Sequence, residues 1–223
     1  MSLKVKVCGM RDPTNIEAVS ALPIHFMGFI FYEKSPRFVT HTHDISACPD
    51  DLTKVGVFVN AEMEYILHKI DQYDLDAVQL HGSETPQYIA DFSKELWLKL
   101  KLMANIDLEI IKAFSVDSDF DFETVKPYSE LVKYFLFDTK SPRYGGAGIK
   151  FDWSILEKYD SEVPFLLAGG ISENDVEVIK SLCQRHPFGK NQLYGLDLNS
   201  KFEIEPALKD VEKLKTFLEK LAE

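Results

Sequence analysis

Three side chains able to exchange protons each close a short apolar run: Cys8 after Val5-Lys6-Val7, His81 after Ala77–Leu80, and Asp138 after Tyr134–Phe137. An ionised thiol is a base or a nucleophile, and nearby cations favour that form. An imidazole gives or takes a proton near neutral pH. A carboxyl can donate a proton when apolar surroundings raise its pKa. Together the three could offer an acid and a base to one small substrate. Each also has a plainer use: Cys8 as a small buried hydrophobe, His81 as a satisfied core histidine, Asp138 as a cap for the turn through Thr139 and Lys140.

Other residues are suited to anions. Ala168-Gly169-Gly170-Ile171 closes another apolar run and leads through Ser172 into a helical stretch, where backbone N–H groups and the helix dipole can receive a phosphate. Arg37, in Lys34-Ser35-Pro36-Arg37, carries a guanidinium that can grip a carboxylate with two prongs. The glycine-rich stretch Ser141–Gly148 could act as a lid. His41, His43, Asp44 and Cys48 lie close in sequence but match no zinc spacing, so no metal is predicted.

These residues act together only if the chain folds their runs side by side. Eight short runs rich in β-branched and aromatic residues recur: Val5–Met10, Met27–Tyr32, Lys54–Asn60, Ala77–Gly82, Leu108–Phe114, Tyr134–Thr139, Pro164–Gly170 and Gln192–Ser200. Most gaps between them show helical periodicity with a plausible start, such as Asp12-Pro13 or Ser172-Glu173-Asn174. Alternating strands and helices predict a parallel sheet. Eight near-equal units predict a closed (β/α)₈ barrel over residues 1–223 as a single domain, with an open doubly wound sheet as the alternative. The stretch from Pro36 to Pro49 has the weakest helical pattern, and Ile89–Met103 reads as one long helix.

Side chains along a barrel strand alternate between the interior and the outer helices. If Cys8 faces inward, so do Lys4 and Lys6. The same phase puts Gln79, His81, Lys112, Asp138 and Asp197 inside. Charges there need partners, so Lys6, Lys112 and Asp197 are expected to meet one another or a ligand. Active sites of such barrels lie at the carboxyl ends of the strands, with phosphate near the seventh and eighth, where Gly169, Gly170 and Ser200 fall.

Composition narrows the partners. The 223 residues hold 25 Lys and Arg against 36 Asp and Glu, a net charge of −11. That argues against nucleic acid and membrane surfaces, which attract clustered positive charge. No apolar run is long enough to span a bilayer, and Met-Ser-Leu-Lys-Val-Lys-Val lacks the core of a signal peptide. Three widely spaced cysteines make a disulfide framework implausible and point to the cytoplasm. Cys48 and Cys183 read as structural.

The motifs also form an ordered set. Val7-Cys8-Gly9, Gly28-Phe29-Ile30-Phe31-Tyr32 with Lys34-Ser35 and Arg37, Val55–Asn60, Val78-Gln79-Leu80-His81-Gly82, Asp138-Thr139-Lys140, Tyr144-Gly145-Gly146 with Gly148, Phe151-Asp152-Trp153 and Ala168-Gly169-Gly170 resemble phosphoribosylanthranilate isomerase. The resemblance covers nearly the whole chain. It implies an Amadori rearrangement of tryptophan biosynthesis, turning N-(5-phosphoribosyl)anthranilate into 1-(2-carboxyphenylamino)-1-deoxyribulose 5-phosphate without a cofactor. The partner it implies is this small-molecule phosphosugar.

By the same resemblance Cys8 would be the general base and Asp138 the general acid. Arg37 would hold the anthranilate carboxylate, His81 and Asp197 would line the site, and Gly169, Gly170 and Ser200 would meet the phosphate. One departure stands out. The family's Asp-x-Ser-Ser-Gly-Val-Glu reads Asp197-Leu198-Asn199-Ser200-Lys201-Phe202-Glu203 here, with Lys201 where the family has glycine. A neighbouring phosphosugar barrel such as indole-glycerol-phosphate synthase lacks support, because its lysine and glutamate pattern is not evident. A catalytically silent binding protein is disfavoured by the retained Cys8 and Asp138.

Overall fold

The computed structural model describes residues 3–100, 108–139, 152–184 and 193–223. Eight parallel strands close into a barrel in chain order: β1 (Lys4–Cys8), β2 (Phe26–Ile30), β3 (Thr53–Phe58), β4 (Ala77–Leu80), β5 (Glu109–Val116), β6 (Tyr134–Thr139), β7 (Phe165–Leu167) and β8 (Leu193–Leu198). The seam between β8 and β1 is parallel, and Lys6 lies in register with Asp197 across it. All eight expected runs form strands. Their near-continuous apolar character follows from burial on both faces.

Helices cover the barrel where the sequence has both an apolar stripe and a start signal. They are α1 (Pro13–Ser20), α2 (Met63–Tyr73), α3 (Pro86–Leu100), α4 (Val176–Gln184) and α5 (Val211–Ala222). Asp12 caps α1 by accepting from the Asn15 N–H at 2.8 Å, and Pro13 follows where no N–H is needed. Of the long helix expected over Ile89–Met103, the part to Leu100 is present in α3, which starts three residues earlier; positions 101–103 lie outside the described residues.

The crossover from β2 to β3 contains no helix. Its apolar residues are too sparse to make a stripe, yet Val39, Ile45, Cys48 and Leu52 are buried individually by a chain of turns. Described parts of the β5–β6 and β6–β7 connections form 3₁₀ turns, Phe122–Tyr128 and Trp153–Lys158, the first interrupted by Pro127. Aromatic rings fill the space over this side of the barrel: Phe122 meets Phe137 edge-on at 5.5 Å, and Tyr159 meets Phe137 and Phe165 at 5.3 Å each. After β8 a short antiparallel hairpin, β9 (Glu203–Glu205) and β10 (Leu208–Lys209), precedes α5.

The inward phase holds with one correction. Val5 and Val7, Val78 and Leu80, and Leu196 and Leu198 pack in the outer core, which turns Lys6, Cys8, Gln79, His81 and Asp197 inward. On β5 the interior residues are Ile111 and Ala113, so Lys112 points out of the barrel, contrary to expectation. It is buried there, donating to Glu84 Oε2 at 3.1 Å and to the carbonyls of Leu80, Gly82 and Ala113. The bulky Ile111 side chain takes the interior position, and the lysine finds its counter-ion in the loop after β4. Glu84 also accepts from the N–H groups of Asn60, at 2.7 Å, and Gly82, at 3.0 Å. It thereby ties together the carboxyl ends of β3 and β4.

A buried charge deprived of its partner is costly, whereas exchanging both for apolar groups is close to neutral. Glu84→Met alone should therefore lower stability by about 3–5 kcal/mol, and the double variant Glu84→Met with Lys112→Met should recover the share owed to the unpaired ammonium, though not the bonds lost by the Asn60 and Gly82 N–H groups. Urea unfolding of the four proteins measures the cycle; additive losses would overturn it.

Candidate active site

Cys8 ends β1, buried, in register with Gly28 of β2. Two residues earlier, the Lys6 ammonium donates to Asp197 Oδ1 at 3.0 Å inside the barrel. Burial pushes the Cys8 thiol up, Lys6 pulls it back, Asp197 adds to the rise and Lys209 opposes it. Burial also raises the Asp197 carboxyl, against the pull of Lys6. The buried thiol thus feels two ammonium groups, Lys6 and Lys209, that work against its desolvation.

The turn after Cys8 brings the next groups over it. Gly9 has φ +80, and a Cβ there would strike Arg37 Cδ and Asn199 Oδ1, so only glycine lets these side chains close over the strand end. Arg37 arrives from the helix-free crossover. It makes the two-pronged contact its chemistry favours, but with Glu203, from Nε at 2.8 Å and Nη2 at 2.6 Å. Nη1 stands outside that contact.

Lys209 completes the cluster by donating to Glu203 Oε1 at 2.6 Å and Asn199 Oδ1 at 2.8 Å. Asn15 of α1 bonds both the N–H and the carbonyl of Lys209, which fixes the hairpin to the barrel. Burial works to raise the Glu203 pKa. Hydrogen bonds and charge from Arg37 and Lys209 outweigh it and hold the carboxyl below its ordinary 4.5.

Across the mouth, β4 and β6 bring His81 and Asp138 together, with Nε2 3.4 Å from Oδ2. Asp138 Oδ1 accepts from the Thr139 N–H at 2.8 Å. His81 Nδ1 lies 2.7 Å from Gln79 Nε2. Gly169 and Gly170 follow β7 with φ +90 and +68, and a Cβ on Gly169 would overlap Thr139. Ser172 then forms a capping box with Asp175, and a 3₁₀ turn leads into α4. Ser200 begins another 3₁₀ turn at the end of the adjacent β8. Lys201 is exposed.

This geometry has known relatives. The family model for N-(5'phosphoribosyl)anthranilate (PRA) isomerase matches residues 5–220. The chain belongs to the phosphoribosylanthranilate isomerase family. An N-(5'-phosphoribosyl)anthranilate isomerase of Parabacteroides distasonis is 46% identical over 221 residues, covering 97% of this chain and 92% of the relative. The crystal structure of phosphoribosyl anthranilate isomerase from Thermotoga maritima aligns with a TM-score of 0.76 at 27% identity, covering 99% of this chain and 98% of that one. A further phosphoribosyl anthranilate isomerase structure, in complex with reduced 1-(o-carboxyphenylamino)-1-deoxyribulose 5-phosphate, aligns at TM-score 0.72 and 24% identity over 99% and 98% of the two chains.

In this isomerase-family barrel Cys8, His81, Asp138, Asp197, Gly169, Gly170 and Ser200 all lie in the last residues of strands or directly after them, as the sequence predicts. Arg37 joins Cys8 from a loop. The Ser141–Gly148 stretch, Lys140 and Phe151 lie outside the described residues. Among the described residues no helix is long and apolar enough to cross a membrane, and no group of His, Cys, Asp or Glu is arranged to hold a metal ion. His43 instead accepts from the Thr40 N–H at 2.9 Å, fixing its own turn. Sequence reasoning missed Glu203 as the partner of Arg37, and Lys209 as the group that joins Glu203 to Asn199. The signal was there in Glu203, which falls on the glutamate of the family's motif after β8.

Because the Glu203 pKa is depressed in the folded chain, its contribution is complete above pH about 4.5 and is lost as pH falls through the folded value. Glu203→Gln should therefore unfold at lower urea than the parent at pH 7, and the gap should shrink below about pH 4. A gap that does not change with pH would contradict the assignment.

Proposed function

We propose that this site isomerises N-(5'-phosphoribosyl)anthranilate to 1-(2-carboxyphenylamino)-1-deoxyribulose 5-phosphate in tryptophan biosynthesis, with Asp138 as general acid and Cys8 as general base. Family membership supports the reaction. The observation that carries the roles is one thiol and one carboxyl at the same barrel mouth, on β1 and β6, the thiol near the Lys6 ammonium and the carboxyl 3.4 Å from the His81 imidazole.

The reaction needs two proton transfers. Asp138 gives a proton to the furanose ring oxygen, the C1′–O bond breaks, and the nitrogen lone pair forms a Schiff base conjugated to the anthranilate ring. Cys8, as thiolate, then removes the C2′ proton, and the electron pair moves to the nitrogen to give an enolamine. Tautomerisation of the enolamine yields the ketone. Lys6 and Lys209 favour the thiolate against its burial, and that same burial makes the thiolate a stronger base once formed. Both transfers use side chains alone, so the proposal includes no cofactor.

Binding groups surround the two. Arg37, held by Glu203, offers Nη1 to the anthranilate carboxylate. Gly169, Gly170 and Ser200, on neighbouring strand ends, receive the phosphate beside the start of α4. His81 lines the sugar pocket, and Asp197 acts from below through Lys6. The small phosphosugar is the partner, and neither nucleic acid nor membrane is needed. The whole chain, residues 1–223, would act as one barrel domain in the cytoplasm, where its thiols stay reduced.

Cys8→Ala and Asp138→Asn should each lower kcat by about 10²–10⁴-fold, followed by loss of anthranilate fluorescence, with circular dichroism unchanged. Turnover near that of the parent in either variant would remove that residue from its role.

A further inference from the structure

Gln79 has no part in the chemistry above, yet it is almost wholly buried inside the barrel, at 1% exposure, two residues before His81 on the same face. Its amide nitrogen lies 2.7 Å from His81 Nδ1. Its amide oxygen, Oε1, is buried and has no hydrogen-bond partner among the described residues. An apolar residue of the same shape would avoid an orphaned acceptor, so burial alone does not account for a glutamine here.

The far side of the imidazole explains the arrangement. His81 Nε2 faces Asp138 Oδ2 at 3.4 Å, and the carboxylate that Asp138 becomes on giving up its proton favours a proton on Nε2. A neutral imidazole carries one N–H, so Nδ1 is then the lone-pair nitrogen and needs a donor. The NH₂ end of Gln79 is that donor. Turned over, the amide would give Oε1 a partner but would demand a proton on Nδ1. The orphaned oxygen is the consequence of presenting the nitrogen.

We infer that Gln79 is a positioning residue that fixes His81 as its neutral Nε2–H tautomer, so that His81 donates a hydrogen bond to Asp138 and steadies the carboxylate left after proton donation. The inference rests on Asp138 being the acid. His81 keeps its proton throughout, and the only proton moved in this step is the one Asp138 passes to the ring oxygen. The pairing also sets the direction of the Asp138 side chain, because Oδ1 is held by the Thr139 N–H while Oδ2 faces the imidazole. Gln79 acts through His81 and touches no reacting atom.

Nitrogen NMR of histidine-labelled enzyme reads the tautomer directly, with His81→Asn assigning one of the six histidines. The parent should show a pyridine-type Nδ1 and a pyrrole-type Nε2 for His81, and Gln79→Glu, which only accepts at that position, should move a proton onto Nδ1. Gln79→Met should lower kcat by about tenfold or more, less than loss of the acid itself, with KM within about twofold of the parent. Its thermal midpoint should not fall, since the orphaned oxygen is removed with the amide. A protonated Nδ1 in the parent, or parental kcat in Gln79→Met, would overturn the inference. The tautomer signal does not depend on what Asp138 does. If Asp138→Asn turns over normally while the Nε2–H signal is present, it is the role of the acid that fails and not the orientation by Gln79.

Discussion

The barrel closes where β8 meets β1, and on that seam Lys6 faces Asp197 in register, 3.0 Å apart and out of reach of water. A lone charge at that depth would be expensive, and two apolar residues would serve stability as well as the pair does. What the pair does that apolar residues could not is put a fixed positive charge beneath Cys8, two residues along the same face. The lower half of the barrel needs no such device, for Phe26, Tyr134 and Tyr194 fill it with stacked and edge-on rings. The interior is therefore apolar packing below and paired charges above, and the boundary between them sets the floor of the pocket.

Around the mouth, each side chain assigned to chemistry has a partner that acts at one remove. Arg37 is gripped by Glu203, and Glu203 in turn by Lys209. The loop carrying His81 is tied down by Glu84, which draws on Lys112 from outside the barrel. Glu203, Lys209 and Glu84 come from a hairpin and a loop, with only Lys112 on a strand, whereas Cys8 and Asp138 both sit on strands whose backbones are bonded on both sides. The two groups proposed to move protons are thus the least free to move themselves.

Much of this was legible in the residues. Period-two alternation showed which side of β1, β4 and β8 faces inward, because each offers polar residues on one face and Val or Leu on the other, while on β6 only Asp138 marked the inward face. It failed on β5, where Lys112 looked like one more inward charge. There both faces carry large apolar neighbours, and only three-dimensional packing decides that Ile111 takes the interior. The crossover after β2 was hard to read for a related reason, since Val39, Ile45 and Cys48 are buried without any repeat that a helix would impose. Glu203 showed only as the glutamate of a motif. Its contact with Arg37 spans 166 residues of sequence, and local spacing holds no trace of that pairing.

The helix-free crossover after β2 divides the labour of the site. Arg37, the group suited to the aromatic acid, rides on irregular chain whose hydrogen bonds are largely its own, such as Ser35 Oγ accepting from the Arg37 N–H at 3.1 Å. The proposed acid and base, Asp138 and Cys8, are locked into the sheet. Evolution can therefore lengthen, shorten or rewrite residues 31–52 and change which carboxylate is welcomed while the proton-transfer machinery stays as it is. In such a barrel, new substrate preference is a matter of loop exchange and not of a new fold.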